Sequence, residues 1–125
     1  MLREARFYGV LVLAVCWLTL ALLSASAQAQ TQCGIASFYG WEAGTHTANG
    51  ERWNPDAMTA AHPSWPFGLY VRVTREDTGA SVVVRLNDRG PARWTGRVID
   101  LSHAAAAALG MIRVGIAPVC ITVEP

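Results

Sequence analysis

The sequence predicts a mainly β fold: a compact barrel of short strands with one or two short helices. Several segments of five or six residues are rich in β-branched and aromatic side chains. Turn-forming residues separate them, and only two stretches have helical character. Beyond an N-terminal leader roughly 95–100 residues remain, enough for one domain that buries about two-thirds of its unfolded surface and gains from a covalent tether.

The leader comes first. Arg3 and Arg6 precede an apolar run over 7–23, followed by the small-residue tract Ser24-Ala25-Ser26-Ala27-Gln28-Ala29. Cleavage after Ala27 or Ala29 fits an export signal. Residues 1–29 are therefore expected to be a signal peptide and 30–125 the folded domain, with no stable membrane span after cleavage. The alternative is an uncleaved anchor, because an apolar run of about 17 residues lies at the lower limit for a span. Leu13-Ala14-Val15-Cys16 resembles a lipid-attachment signal, but Val15 is bulky where a small residue should precede the cysteine, so a lipid anchor is not expected. The predicted location is the periplasm or the extracellular cell envelope.

Within the domain, Ile35-Ala36-Ser37-Phe38-Tyr39 alternates weakly and Tyr70-Val71-Arg72-Val73-Thr74 clearly. Ser81-Val82-Val83-Val84-Arg85-Leu86 is a β-branched run, and Val119-Cys120-Ile121-Thr122-Val123 closes the series. Asp77-Thr78-Gly79 reads as the turn of a hairpin. The two helical candidates are 56–62, stopped by Pro63, and a segment from 102 or 103 to 109. In the second, Asp100 or Ser102 can accept the orphan N–H groups, Ala104 to Ala108 supply propensity, and Gly110 fits the C-terminal cap. Export puts Cys33 and Cys120 in an oxidising compartment, where a bridge between the two terminal strands is expected, at about 2–4 kcal/mol of stabilisation.

Composition excludes several classes. All ten basic residues are arginine, and from Gln28 onward eight Arg face eight Asp and Glu. A near-neutral domain has no basic footprint for nucleic acid and fits an uncharged polysaccharide better than a highly anionic polymer. His46, His62 and His103 lack metal-ligand spacing, so no metal is expected; no cofactor loop of phosphate-binding type and no nucleophile elbow occurs. A monomer is expected.

Five blocks give a more specific pattern: Gly34-Ile35-Ala36-Ser37-Phe38-Tyr39-Gly40, Thr47-Ala48-Asn49-Gly50-Glu51, Met58-Thr59-Ala60-Ala61-His62, Asn87-Asp88-Arg89-Gly90-Pro91 and Ile99-Asp100-Leu101-Ser102. In order and approximate spacing the chain resembles the RlpA-like family of septal peptidoglycan lytic transglycosylases over about residues 34–123. The resemblance implies a six-stranded double-psi β-barrel that cleaves glycan strands lacking stem peptides. Two features of better-known members are expected to be missing: the C-terminal sporulation-related repeat domain that binds such glycan, and a convincing lipid-attachment signal. Septal targeting is therefore not implied.

Breaking a glycosidic bond needs a proton donor for the leaving oxygen and stabilisation of an oxocarbenium-like transition state, commonly supplied by two carboxylates. In a lytic transglycosylase the sugar's own C6 hydroxyl replaces water, so one carboxyl gives a proton and takes one back. The resemblance assigns that role to Asp88, on a loop after a strand, where burial would have to favour its protonated form. Asn-Asp-x-Gly-Pro is also a good turn sequence, so a purely local role for Asp88 is the competing reading. Arg89 is expected to face away from that carboxyl or to bind substrate.

Glu51, after the turn-prone Asn49-Gly50, is the second carboxyl, either assisting protonation or stabilising positive charge on the ring; its competing reading is a surface glutamate paired with Arg52 or another arginine. Asp100 is the rival acid, as in the expansins and family 45 glycosidases that share the barrel, with helix capping as its bland explanation. His62 is a supporting candidate, to orient a carboxylate or meet a sugar hydroxyl. Tyr39, Trp41, Asn49, Arg89 and Trp94 are the expected substrate contacts, since indole faces pack on sugars. Among Trp41, Trp53, Trp65 and Trp94, at least one is expected only to fill the core. Two other functions compete: a non-catalytic expansin-like glycan-binding or wall-loosening barrel, and a secreted barrel that binds another protein.

Overall fold

A computed structural model describes residues 30–40 and 44–125. The leader and Trp41 lie outside the described residues. Six strands, β1 (Thr31–Phe38), β2 (Thr59–Ala61), β3 (Tyr70–Arg75), β4 (Ser81–Asp88), β5 (Arg97–Leu101) and β6 (Ala117–Val123), close into a barrel in the order β1-β5-β2-β4-β3-β6. Closure gives each of these six strands a neighbour on both sides. The alternation in β3 sets its burial, with Val71 and Val73 inside and Arg72 outside. Val84, Leu86, Ile99, Leu101, Val119 and Ile121 fill the same interior. β3 and β4 form the expected hairpin, in which Gly79 N–H donates to the carbonyl of Arg75 at 2.9 Å.

The short helix α1 (His103–Ala108) starts at Ser102, whose hydroxyl accepts from Ala105 N at 3.2 Å. Ser102, not Asp100, is therefore the cap. Ala105 and Ala106 are completely buried, and Gly110 follows the helix with φ 67°. A 3-10 turn, Arg93–Thr95, precedes β5.

The expected helix over 56–62 is not formed. Residues 55–58 turn and Thr59–Ala61 become β2, wedged between β4 and β5. All three of its residues are buried, and backbone pairing on both sides satisfies them where an isolated helical turn would not. β5, left unassigned by periodicity, packs parallel to β1. Their contact needs a glycine: a Cβ at Gly34 would stand 2.5 Å from Val98 Cγ1.

Cys33 and Cys120 face each other in the β1–β6 register and are joined by the expected disulfide. Among the described residues no helix is long and apolar enough to cross a membrane.

Candidate active site

The site grows from the end of β4. The chain over 47–51 folds back tightly, with Thr47 N–H donating to the carbonyl of Glu51 at 2.8 Å and Gly50 N–H to that of Thr47 at 3.0 Å. Asn49 N–H donates to the carbonyl of Asn87 at 3.3 Å, which docks this loop on β4.

Docking brings Ala48 to Asp88, which accepts from three donors in all. Its Oδ1 accepts Ala48 N–H and Arg89 N–H, each at 2.9 Å, and its Oδ2 accepts the Tyr39 hydroxyl at 2.5 Å. A carboxylate has about four lone-pair positions, so Oδ1 is saturated and one position on Oδ2 is left for a proton. Burial first, then the bond to Asp88 and the charges of Asp88 and Asp100, hold the Tyr39 phenol far above its ordinary value. Tyr39 therefore remains a neutral donor at any working pH.

The same loop presents Glu51. Arg85 grips it in a bidentate pair at 2.6 and 2.8 Å, Asn49 Nδ2 donates to it at 2.8 Å and Asn87 Nδ2 at 3.3 Å. The bond from Arg85, followed by those from Asn49 and Asn87, lowers its pKa to about 2. Glu51 is a fixed negative charge.

Asp100 sits on β5, with β2 between it and Asp88. Ala61 is paired with Asp88 on one side and Asp100 on the other, which sets their Cα atoms roughly 10 Å apart at two strand spacings. Asp100 accepts the Ser37 hydroxyl, and Arg97 bonds to Ser37 and lies 3.2 Å from Asp100.

His62 is only 2 % exposed and fully engaged. Its Nδ1 accepts Ser64 N–H at 3.0 Å and Trp65 N–H at 2.9 Å, which leaves Nε2 as the protonated nitrogen, 2.8 Å from Gln32 Oε1. Burial, then the charges of Arg89 and Arg93, lower its pKa to about 4. The neutral ring stacks on Trp65 at 4.4 Å. Its link to Asp88 runs through the backbone, where His62 N–H donates to the Asp88 carbonyl at 3.2 Å.

Arg89 points its guanidinium at the 62–67 loop, bonding to the carbonyls of His62 at 3.3 Å and Trp65 at 2.8 Å and lying 3.9 Å over the Phe67 ring. Asn49 spends its amide on Glu51 and its oxygen on Thr47 and Glu51 N–H. Trp94 is 89 % exposed, Trp53 meets Tyr39 edge-on at 6.3 Å, and Trp65 packs against the core. Arg85, Asn87, Ser37 and Arg97 escaped the sequence reading. Arg85 offered a weak signal as the one charge in a β-branched run.

Among the described residues, Cys33, Glu76 and Cys120 place potential metal-ligand atoms within 4.8 Å of one another, but both sulfurs are spent in the disulfide and neither is a thiolate.

Comparison with known proteins fits this geometry. The family described as lytic transglycolase matches residues 31–121. A probable endolytic peptidoglycan transglycosylase RlpA of Nostoc sp. is 64% identical over 93 residues, 72% of this chain and 25% of that protein. The endolytic peptidoglycan transglycosylase RlpA of Vibrio cholerae is 50% identical over 94 residues, 74% of this chain and 35% of that protein. The chain thus spans between a quarter and about a third of the length of these curated relatives. Among solved structures, the Streptomyces papain inhibitor shares the fold at TM-score 0.62 and 22% identity, with 77% of this chain and 96% of that one covered. An expansin of Clavibacter michiganensis reaches 0.61 at 25% identity, covering 77% of this chain and 51% of that one.

Proposed function

This chain belongs to the lytic transglycolase family, and we propose that it cleaves peptidoglycan glycan strands endolytically, preferring strands without stem peptides and leaving anhydro-muramic ends. The observation that carries the reading is a single loop that binds both carboxylates, Asp88 through Ala48 N–H and Glu51 through Asn49.

Asp88 is the acid and base. Its proton on Oδ2 passes to the leaving glycosidic oxygen as the C1–O bond breaks, and Asp88 then takes the proton of the C6 hydroxyl whose oxygen closes on C1. No water is consumed. Tyr39 steadies Oδ2 in both states because it is always a donor. Glu51, held by Arg85 on the loop that also bonds Asp88, is assigned the role of favouring positive charge developing on the ring. Of the two roles open to Glu51, its low pKa supports the electrostatic one.

Asn49 positions Glu51, while His62 and Arg89 position the 62–67 loop. Asp100 is ion-paired with Arg97, whereas the three donors on Asp88 are all neutral, which ranks Asp100 behind Asp88 as a proton donor. Exposed Trp94, together with Trp41, is the candidate for stacking on sugar. We place the protein in the cell envelope, exported through residues 1–29.

Similarity to the expansin, a variant of which has been solved with cellohexaose, supports a second reading as a glycan-binding barrel without cleavage. Incubating peptide-stripped peptidoglycan with the chain and with Asp88→Asn and Asp100→Asn variants separates the two. Anhydro-muramic fragments abolished by Asp88→Asn but retained in Asp100→Asn support the proposal. Binding without fragments supports the expansin-like reading.

A further inference from the structure

One cleft, of about 550 Å³, is lined by His62, whose N–H bonds to the Asp88 carbonyl, and by Arg97, paired with Asp100; neither Asp88 nor Glu51 lines it. Its volume falls within the roughly 300–1,000 Å³ typical of small-molecule sites. The start of β1 supplies one wall with Gln30, Thr31 and Gln32; the His62–Trp65 stack supplies another. Arg93 and Arg97 face them across the turn at Gly96, whose φ of 75° only glycine adopts without strain.

The lining holds two guanidinium groups and no carboxylate. Arg97 is shared with Asp100, whereas no carboxylate pairs with Arg93 among the described residues. The domain is near neutral overall, so this is a local concentration of positive charge, and the charges of Arg93 and Arg89 both act on His62. Arginine recognises carboxylates through parallel N–H donors, and an indole beside it offers a surface for the apolar face of a sugar ring.

We propose that this cleft is a subsite for a sugar carrying a pendant carboxylate, and that it reads the bare lactyl carboxylate of a muramyl residue through Arg93. The inference rests on the glycan-cleaving reading and deepens it. A stem peptide converts the lactyl carboxylate into an uncharged amide, so the cleft discriminates stripped from decorated strands. It adjoins the reacting carboxyl through the backbone of His62, whose N–H donates to the Asp88 carbonyl.

The test is an NMR titration of the chain, following the Trp65 indole N–H, with N-acetylmuramic acid, its methyl ester and an N-acetylmuramyl dipeptide. None of these probes has a glycosidic bond to cleave, so the readout is independent of catalysis. The free acid should bind about tenfold more tightly than the ester, as expected for a partly exposed charge-assisted bond. The dipeptide, which keeps a carboxylate at its peptide end only, should bind like the ester. Arg93→Gln, on an exposed turn with no buried residue, should abolish the preference and leave ester binding and the melting temperature unchanged. Equal binding of acid and ester, dipeptide binding as tight as the acid, or a preference that survives Arg93→Gln would each overturn the assignment. If the unsubstituted chain makes anhydro ends but shows no preference for the acid, the subsite alone is refuted; if it shows the preference but makes no anhydro ends, the catalytic reading alone is refuted.

Discussion

Replacing Arg85 with methionine removes the largest cause of the depressed Glu51 pKa and leaves the aliphatic stem in place. Glu51 moves from an ordinary 4.5 to about 2 in the folded protein. At 1.36 kcal/mol per unit, the whole shift corresponds to about 3.4 kcal/mol. The two side chains are 31% and 38% exposed, so solvent screening and side-chain entropy reduce the coupling to about 1 kcal/mol. Because the folded pKa is depressed, the contribution is complete above pH 4.5 and is lost as pH falls toward 2. Urea denaturation of wild type, Arg85→Met, Glu51→Gln and the double variant at pH 7 measures it as a double-mutant cycle. The expected coupling is about 1 kcal/mol at pH 7, shrinking below pH 4. A coupling below about 0.3 kcal/mol, or one unchanged at pH 2.5, would refute the view that Arg85 fixes the charge on Glu51.

Three further outcomes follow from the same structure. His62, neutral in the fold with a pKa of about 4 against 6.5 outside it, contributes stability that is complete above pH 6.5 and falls away toward pH 4; about 2 kcal/mol should be lost by pH 5, and His62→Gln should flatten that slope in chemical denaturation. Ser102→Ala removes the cap of α1 and should cost about 1 kcal/mol, read as a melting temperature lower by roughly 4–8 °C with the barrel intact. Reducing Cys33–Cys120, which are 87 positions apart, should destabilise the domain by about 2–4 kcal/mol, seen as a lower urea midpoint in reductant that a double Cys→Ser variant reproduces without reductant.

The parts of the fold visible in the sequence are those set by local patterning. β3 shows its alternation, α1 its cap and alanines, and the hairpin its Asp77-Thr78-Gly79 turn. β2 was hidden because three residues have no period, and Ala60 and Ala61 suit a helix as well as a strand; only β4 and β5 on either side decide. Asp88 and Glu51 were legible as candidates through the block pattern. What surrounds them was not, because it is long-range: Arg85 reaches Glu51 across 34 positions and Tyr39 reaches Asp88 across 49. The arginine-lined cleft is invisible for the same reason, being assembled from β1, the 62–65 segment and the 93–98 segment.

The central claim, that Asp88 cycles one proton without consuming water, is tested most directly by digesting peptide-stripped glycan in heavy-oxygen water and weighing the products. Fragments ending in anhydro-muramic acid are expected, lighter by one water than reducing-end fragments and free of heavy oxygen, and they should disappear in Asp88→Asn. Reducing ends carrying heavy oxygen would make the protein a hydrolase, and unlabelled anhydro ends formed equally well by Asp88→Asn would remove Asp88 from the chemistry.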